Sequence, residues 1–132
     1  MKPAGYSGKP LSQKLGFKPG WRVGLVRAPD HYADLVADAD GVSFGPLRVG
    51  ADAAHVFFHG GEDLAAEAQA AIDHLRDGGM LWVSWAKKSS KLHAGVTEDM
   101  FRDTILPLGW VDTKVCAVDV DWSGLKFLKR KG

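Results

Sequence analysis

The apolar positions of this chain fall into short continuous runs alternating with longer stripes at helical spacing. Near the start, PLSQKLG reads as a short helix, with Pro10 suited to its first position and Gly16 to its C-terminal cap. Val23, Leu25 and Val26 then form a run of the kind shown by a strand buried on both faces. Pro29 stops that strand, Asp30 is placed to cap a helix, and Tyr32, Leu35, Val36 and Ala39 recur at i, i+3, i+4 and i+7. GVSFG follows as a short edge strand, and AAHVFFHGG as a second buried strand ending in paired glycines.

From Glu62 to Asp77 the helical stripe returns through Leu64, Ala68, Ala71, Ile72 and Leu75, opened by two acids and closed by Gly78 and Gly79. MLWVSW is the next strand. The loop AKKSSKLHAG leads to a helix capped by Thr97, with Phe101, Ile105 and Leu108 on one side and Pro107 with Gly109 ending it. WVDTKVCAVD and WSGLKFLKR are strand-like and separated by little more than a turn, which predicts an antiparallel hairpin. Strands alternating with helices and then a hairpin predict an α/β, three-layer Rossmann-like sandwich on a mostly parallel sheet of about six strands.

The order LGFKPGWRVGLV, HVFFHG, HLRDGGMLWVSW, helix and final hairpin resembles a shortened class I methyltransferase fold. In that family a "pG-x-x-V" strand opens the sheet, an "L-x-x-GG" turn precedes a later strand, and an antiparallel last strand slots in. The resemblance implies strand order 2-1-3-4-6-5 with the last strand antiparallel. SGKPL, GGMLWVSWAKKSSK and LGWVDTKVCAVDVDWSGLKFLKR are also similar to a small bacterial family known only as a domain of unknown function, number three thousand and fifty-two. That likeness covers nearly the whole chain and implies the same fold and a bacterial origin, with no established activity to inherit. One departure is Ala86, where the family carries the proline of WPKK.

Size and composition narrow the class without naming a chemistry. At 132 residues, 45% apolar and 25% charged, the chain is expected to be one methyltransferase-like domain over residues 1–132, with residues 1–9 a mobile arm. No apolar run approaches the roughly 20 residues that span a bilayer, so no membrane partner is expected. One cysteine and no apolar leader stretch point to the cytoplasm. The net charge of +1 conceals two basic ends around an acidic middle. Phosphate neutralisation by one large positive field is what duplex binding needs, and patches rank nucleic acid below other partners.

Open parallel sheets bind ligands at the carboxyl ends of the strands where strand order reverses. Under the expected order that crevice lies between strands 1 and 3. Arg27, Ala28, Pro29 and Asp30 would line one side and His59, Gly60 and Gly61 the other, with Lys87, Lys88 and Ser89 arriving from strand 4. Methyl transfer would also need a glycine-rich loop after the first strand and an acid at the end of the second. Here the first loop is VRAPDHY and the second strand ends in Phe44 and Gly45. No cofactor is therefore predicted; S-adenosylmethionine fits the fold, but its key motifs are missing.

Other motifs carry less. YSGKP resembles a phosphate loop, but Pro3 stands at its first glycine, Pro10 at its Ser or Thr, and no strand precedes it. His55 and His59 sit about 13 Å apart on a strand, too far to share an ion, and no metal site is predicted. His59 alone has the chemistry of a proton carrier without an evident orienting acid. Cys116, between apolar neighbours, reads as a buried inert thiol. Trp82 and Trp85 lie three apart on one strand and should pack on opposite faces; Trp110 and Trp122 bracket the hairpin as core or as an exposed aromatic interface. No residue is assigned a catalytic role. The reading favoured is a non-catalytic methyltransferase-like module binding a small anionic ligand or a protein partner. An S-adenosylmethionine- or nucleotide-dependent enzyme with an atypical pocket is the alternative, and nucleic-acid binding a weaker one.

Overall fold

The computed structural model describes residues 10–131; the arm expected over residues 1–9, with all of the phosphate-loop-like motif except Pro10, lies outside them. Strands β1 (Arg22–Val26), β2 (Ser43–Pro46), β3 (Ala51–Phe58), β4 (Leu75–Ala86), β5 (Trp110–Ala117) and β6 (Trp122–Lys129) form one sheet in the order β2-β1-β3-β4-β6-β5. β1 to β4 run parallel, and β6 is antiparallel to both β4 and β5. This is the expected order and the expected C-terminal hairpin.

Two cores lie on the two faces, and the alternation of each strand decides which residue joins which. Helices α1 (Leu11–Leu15) and α2 (Tyr32–Leu35) cover one face, where Leu15, Tyr32, Phe57, Trp82 and Trp122 pack together. Helices α3 (Leu64–His74) and α4 (Glu98–Ile105) cover the other, over Ala68, Phe58, Trp85, Phe101 and Trp110. Trp82 and Trp85 thus serve opposite layers, as their spacing predicts. Trp110 and Trp122 are both buried, so they build core and offer no exposed aromatic platform.

Several boundaries differ from the expectation, each for a local reason. Pro10 is the N-cap of α1, with extended ψ, rather than its first helical residue; Gly16 does cap the end in the left-handed region. Asp30 does not cap α2. That helix is a single turn whose N-cap is His31, without a side-chain cap bond. α3 is capped by Asp63, which accepts from the Ala66 N–H, and ends at His74. The stretch expected to finish it, through Gly78 and Gly79, instead opens β4, where the β3–β4 register shifts between Ala51 and Ala53. Thr97 caps α4 as expected, but Leu108 falls in a 3₁₀ turn (Leu106–Leu108) and is exposed.

The β2–β3 connection is the unusual one. Parallel strands ordinarily need a crossover of a dozen residues or more. Here residues 47–50 suffice, and they run directly over β1. A Cβ on Gly24 would lie 2.5 Å from the Leu47 Cα, so only glycine lets this crossover lie flat on the sheet.

Candidate functional site

The loops at the carboxyl edge of the sheet divide into two halves of different character. At the ends of β1 and β3, Arg27 adopts φ 55, the one left-handed non-glycine conformation among the described residues. Its guanidinium is turned back onto the protein: Nε donates to the Phe57 carbonyl at 3.1 Å and lies 3.3 Å from Glu62, and a terminal nitrogen pairs with Glu67 at 2.7 Å. The Arg27 carbonyl in turn accepts from His59 Nε2 at 3.0 Å. The crevice expected between β1 and β3 is therefore spanned by the residues expected to line it.

Glu62 fastens the β3–α3 loop. Its carboxylate accepts the N–H of His59 and of Gly60. Burial pushes that carboxyl up, but backbone N–H groups of His59, Gly60 and Glu62 itself, with the Arg27 guanidinium, outweigh it and hold the group below the usual carboxylate range. Gly60 is conformationally required, with φ 113 and a Cβ position 2.7 Å from that of Ala94. The His59 ring packs edge-on to Trp122 at 5.0 Å. Farther across, His31 Nε2 meets Asp119 Oδ2 at 2.7 Å, joining the β1–α2 loop to the β5–β6 turn over the ends of two intervening strands. Asp30 is exposed beside this tie.

Beneath the closed half lies a chain of buried polar side chains. His55 is fully buried, with Nδ1 2.9 Å from the Tyr32 hydroxyl and Nε2 2.7 Å from Ser84 Oγ. Burial pushes the imidazole down to about 3 and raises the Tyr32 phenol, so both groups are neutral at physiological pH. The ring also stacks on Phe57 at 4.4 Å. The sequence shows His55 and Ser84 only as polar interruptions in AAHVFF and MLWVSW. The signal was their shared parity, which becomes legible once the register pairs His55 with Trp82 and Phe57 with Ser84.

The second half is open. Lys87 and Lys88 do not reach the β1–β3 crevice; they line a separate cleft of about 500 Å³ between the end of β4 and the start of α4. Trp85, Ala86 and Val96 form its buried apolar wall, and His93, Thr97, Glu98, Asp99 and Ser123 complete it. Ser89 is exposed and is not among the lining residues. The loop is set by the Lys87 N–H, which donates to the Asp121 carbonyl, and by Ser90 Oγ, which donates to the Asp121 carboxylate at 2.8 Å. His93 Nδ1 donates to the Ala86 carbonyl at 3.2 Å. Neither lysine ammonium has a hydrogen-bond or ion-pair partner among the described residues. The sequence places the lysines at the carboxyl edge of the sheet; nothing in the linear order joins them to His93, Thr97 and Ser123, with which they share the cleft.

Two remaining candidates are resolved by position. The half-buried Cys116 thiol is raised by burial, against the opposing effect of Lys14 and Lys114, which leaves it a poor nucleophile. Among the described residues no group of three or more His, Cys, Asp or Glu side chains could hold a metal ion, and no helix is long and apolar enough to cross a membrane.

With this geometry in hand, the fold can be placed among solved structures. The chain is similar to an S-adenosylmethionine-dependent methyltransferase from Aquifex aeolicus, at TM-score 0.60 and 11% identity, covering 89% of this chain and 86% of that one. It is similar also to fibrillarin from Aeropyrum pernix in complex with S-adenosyl-L-methionine, at TM-score 0.54 and 17% identity over 93% and 70%. A protein of the NADB-Rossmann superfamily from Streptococcus agalactiae matches at TM-score 0.53 and 11% identity over 98% and 72%. Against phosphoethanolamine N-methyltransferase 2 from Haemonchus contortus, matched at TM-score 0.53 and 13% identity, the chain spans only 38% of that protein's length. No family model matches the chain, and no curated protein sequence is similar to it. What is shared is a Rossmann-like, methyltransferase-type fold.

Proposed function

We propose that this chain is a methyltransferase-fold module that does not transfer methyl groups and instead binds a small anion in the cleft beside Lys87 and Lys88. The observation that carries the reading is the division of the carboxyl edge. The crevice between β1 and β3 is spanned by the Arg27–His59 bond and the Arg27–Glu62 and Arg27–Glu67 pairs, while a cleft one strand along presents two ammonium groups without a partner among the described residues. A cleft of about 500 Å³ is within the ordinary range for small-molecule sites.

A nucleoside cofactor at the β1–β3 crevice does not fit the residues there. The β1–α2 loop has no glycine, β2 ends in Pro46 with no acid to bind a ribose, and the side chain of Tyr32 fills the space beneath against Phe44, His55 and Phe57. Fold likeness to S-adenosylmethionine-dependent enzymes supports the second reading, an enzyme with an atypical pocket, although a fold alone does not fix a function. Membership of the small bacterial family of unknown function, bacterial origin and residence in the cytoplasm belong to the same proposal, resting on the sequence motifs and the single thiol.

Thermal unfolding against inorganic phosphate, nucleotides, S-adenosylmethionine and its demethylated product tests it. A ligand at about 100 times its Kd adds roughly 2.7 kcal/mol, several degrees in a domain this size. We expect a shift with a small anion that Lys87→Glu with Lys88→Glu abolishes. A saturable shift with S-adenosylmethionine would overturn the non-catalytic reading, and no shift with any anion would leave a protein partner in its place.

A further inference from the structure

The cleft has two rims of opposite sign. Across from Lys87 and Lys88, the first turn of α4 brings Glu98 and Asp99 to the wall. These acids are incompletely neutralised. Among the described residues Arg102 is the one cation they pair with, and it is shared with a third carboxylate: it pairs with Glu98, with Asp99 at 3.2 Å and with Asp112 at 2.9 Å. One guanidinium against three carboxylates leaves that rim negative. The Arg102 guanidinium is held charged, chiefly by its bond to Asp112, so it cannot shed a proton to alter this count.

No ion pair joins the two rims among the described residues, although each carries the charge the other lacks. Between them, the Ala86 carbonyl fixes His93 with Nδ1 as donor, so in the neutral ring Nε2 is an acceptor. The wall of Trp85 and Val96 is apolar and buried. Ammonium donors on one side, carboxylate acceptors on the other, and an imidazole acceptor with an apolar wall between match a molecule bearing both an anionic group and an ammonium group.

From this arrangement we infer that the ligand is a small zwitterion of the α-amino acid class, its carboxylate on Lys87 and Lys88 and its ammonium on the Asp99 side, with its side chain against Trp85. The inference rests on the anion-binding reading above and sharpens it. Calorimetric titration of the full chain with the common free α-amino acids, their N-acetyl derivatives, their amides and inorganic phosphate separates the two. We expect a free amino acid to bind, with its N-acetyl derivative and its amide each weaker by about tenfold or more, the loss of one charge-assisted contact. Asp99→Asn, at an almost fully exposed side chain, should weaken the free amino acid by a similar factor and leave phosphate binding unchanged or tighter. N-acetyl derivatives or phosphate binding while no free amino acid binds better would overturn the zwitterion and keep the anion. No binding by any probe would overturn both.

Discussion

The two halves of the carboxyl edge are built from the same kinds of segment, short loops leaving parallel strands, and end in opposite states. Over β1 and β3 the polar groups are used up on one another: the Arg27 guanidinium on Glu62, Glu67 and the Phe57 carbonyl, the Arg27 carbonyl on His59, and His31 on Asp119. Over β4 the lysines line a cleft and pair with nothing among the described residues. Arg27, from a left-handed backbone, folds its guanidinium back onto Glu62 of the β3–α3 loop and Glu67 of the first turn of α3. Lys87 and Lys88 form no such pair among the described residues; the acids that share their cleft, Glu98 and Asp99, pair with Arg102. Charge type therefore says little about which charges stand free at this edge; what decides is whether local geometry has already satisfied them.

If the closed half is structural and the open half is free to bind, changes in the first should cost stability and changes in the second should not. The largest effect is expected at Gly24. Gly24→Val would drive a side chain into the Leu47 backbone and cost about 3 kcal/mol or more, read as a fall in the midpoint of denaturant unfolding. A midpoint that does not move would mean that the four-residue crossover is not held against β1.

Next comes the buried histidine, whose effect depends on pH. The folded-state pKa of His55 lies at about 3, below the unfolded value near 6.5, so the unfolded chain takes up a proton that the folded chain refuses. Stability from this source is complete above pH 6.5 and falls by about 1.4 kcal/mol per pH unit as pH drops below it. The lowered carboxyls, Asp52, Glu62 and Asp112, add their losses only in the lower, carboxylate range. Unfolding free energy measured between pH 7 and 4.5 should therefore slope for the wild type and stay nearly flat for His55→Gln. Equal slopes would mean that the imidazole is charged or wetted in the folded state.

Smaller again is Arg27→Ala, which removes a half-exposed ion-pair network and one bond to the Phe57 carbonyl, for about 1–2 kcal/mol. The paired lysine substitution described above completes the series, with unfolding within about 0.5 kcal/mol of wild type. A larger loss there would place the lysines in the fold and erase the contrast.

How much of this was legible beforehand follows from the range of each interaction. The alternation of strands and helices could be read because their periods repeat along the chain, and Trp82 and Trp85 declare opposite faces by parity alone, whereas the sheet order followed only from the resemblance to the methyltransferase fold. The end of α3 was misread because Gly78 and Gly79 look like a helix cap, whereas pairing with β3 claims Leu75 for the sheet, a tertiary contact that outweighs the local glycine signal. Asp30 looked like a cap for the same reason, by local residue type alone.

The sequence alone determined the alternation of strands and helices and the antiparallel hairpin that ends it, because hydrophobic period and turn residues are properties of neighbours in the chain. Only the tertiary structure decided that Arg27 is spent and Lys87 is not, that His55 meets Tyr32 and Ser84, and that His93 and Asp99 face the lysines. Those facts depend on distances between residues far apart in sequence, and such distances exist only after the sheet has brought its loops to one edge.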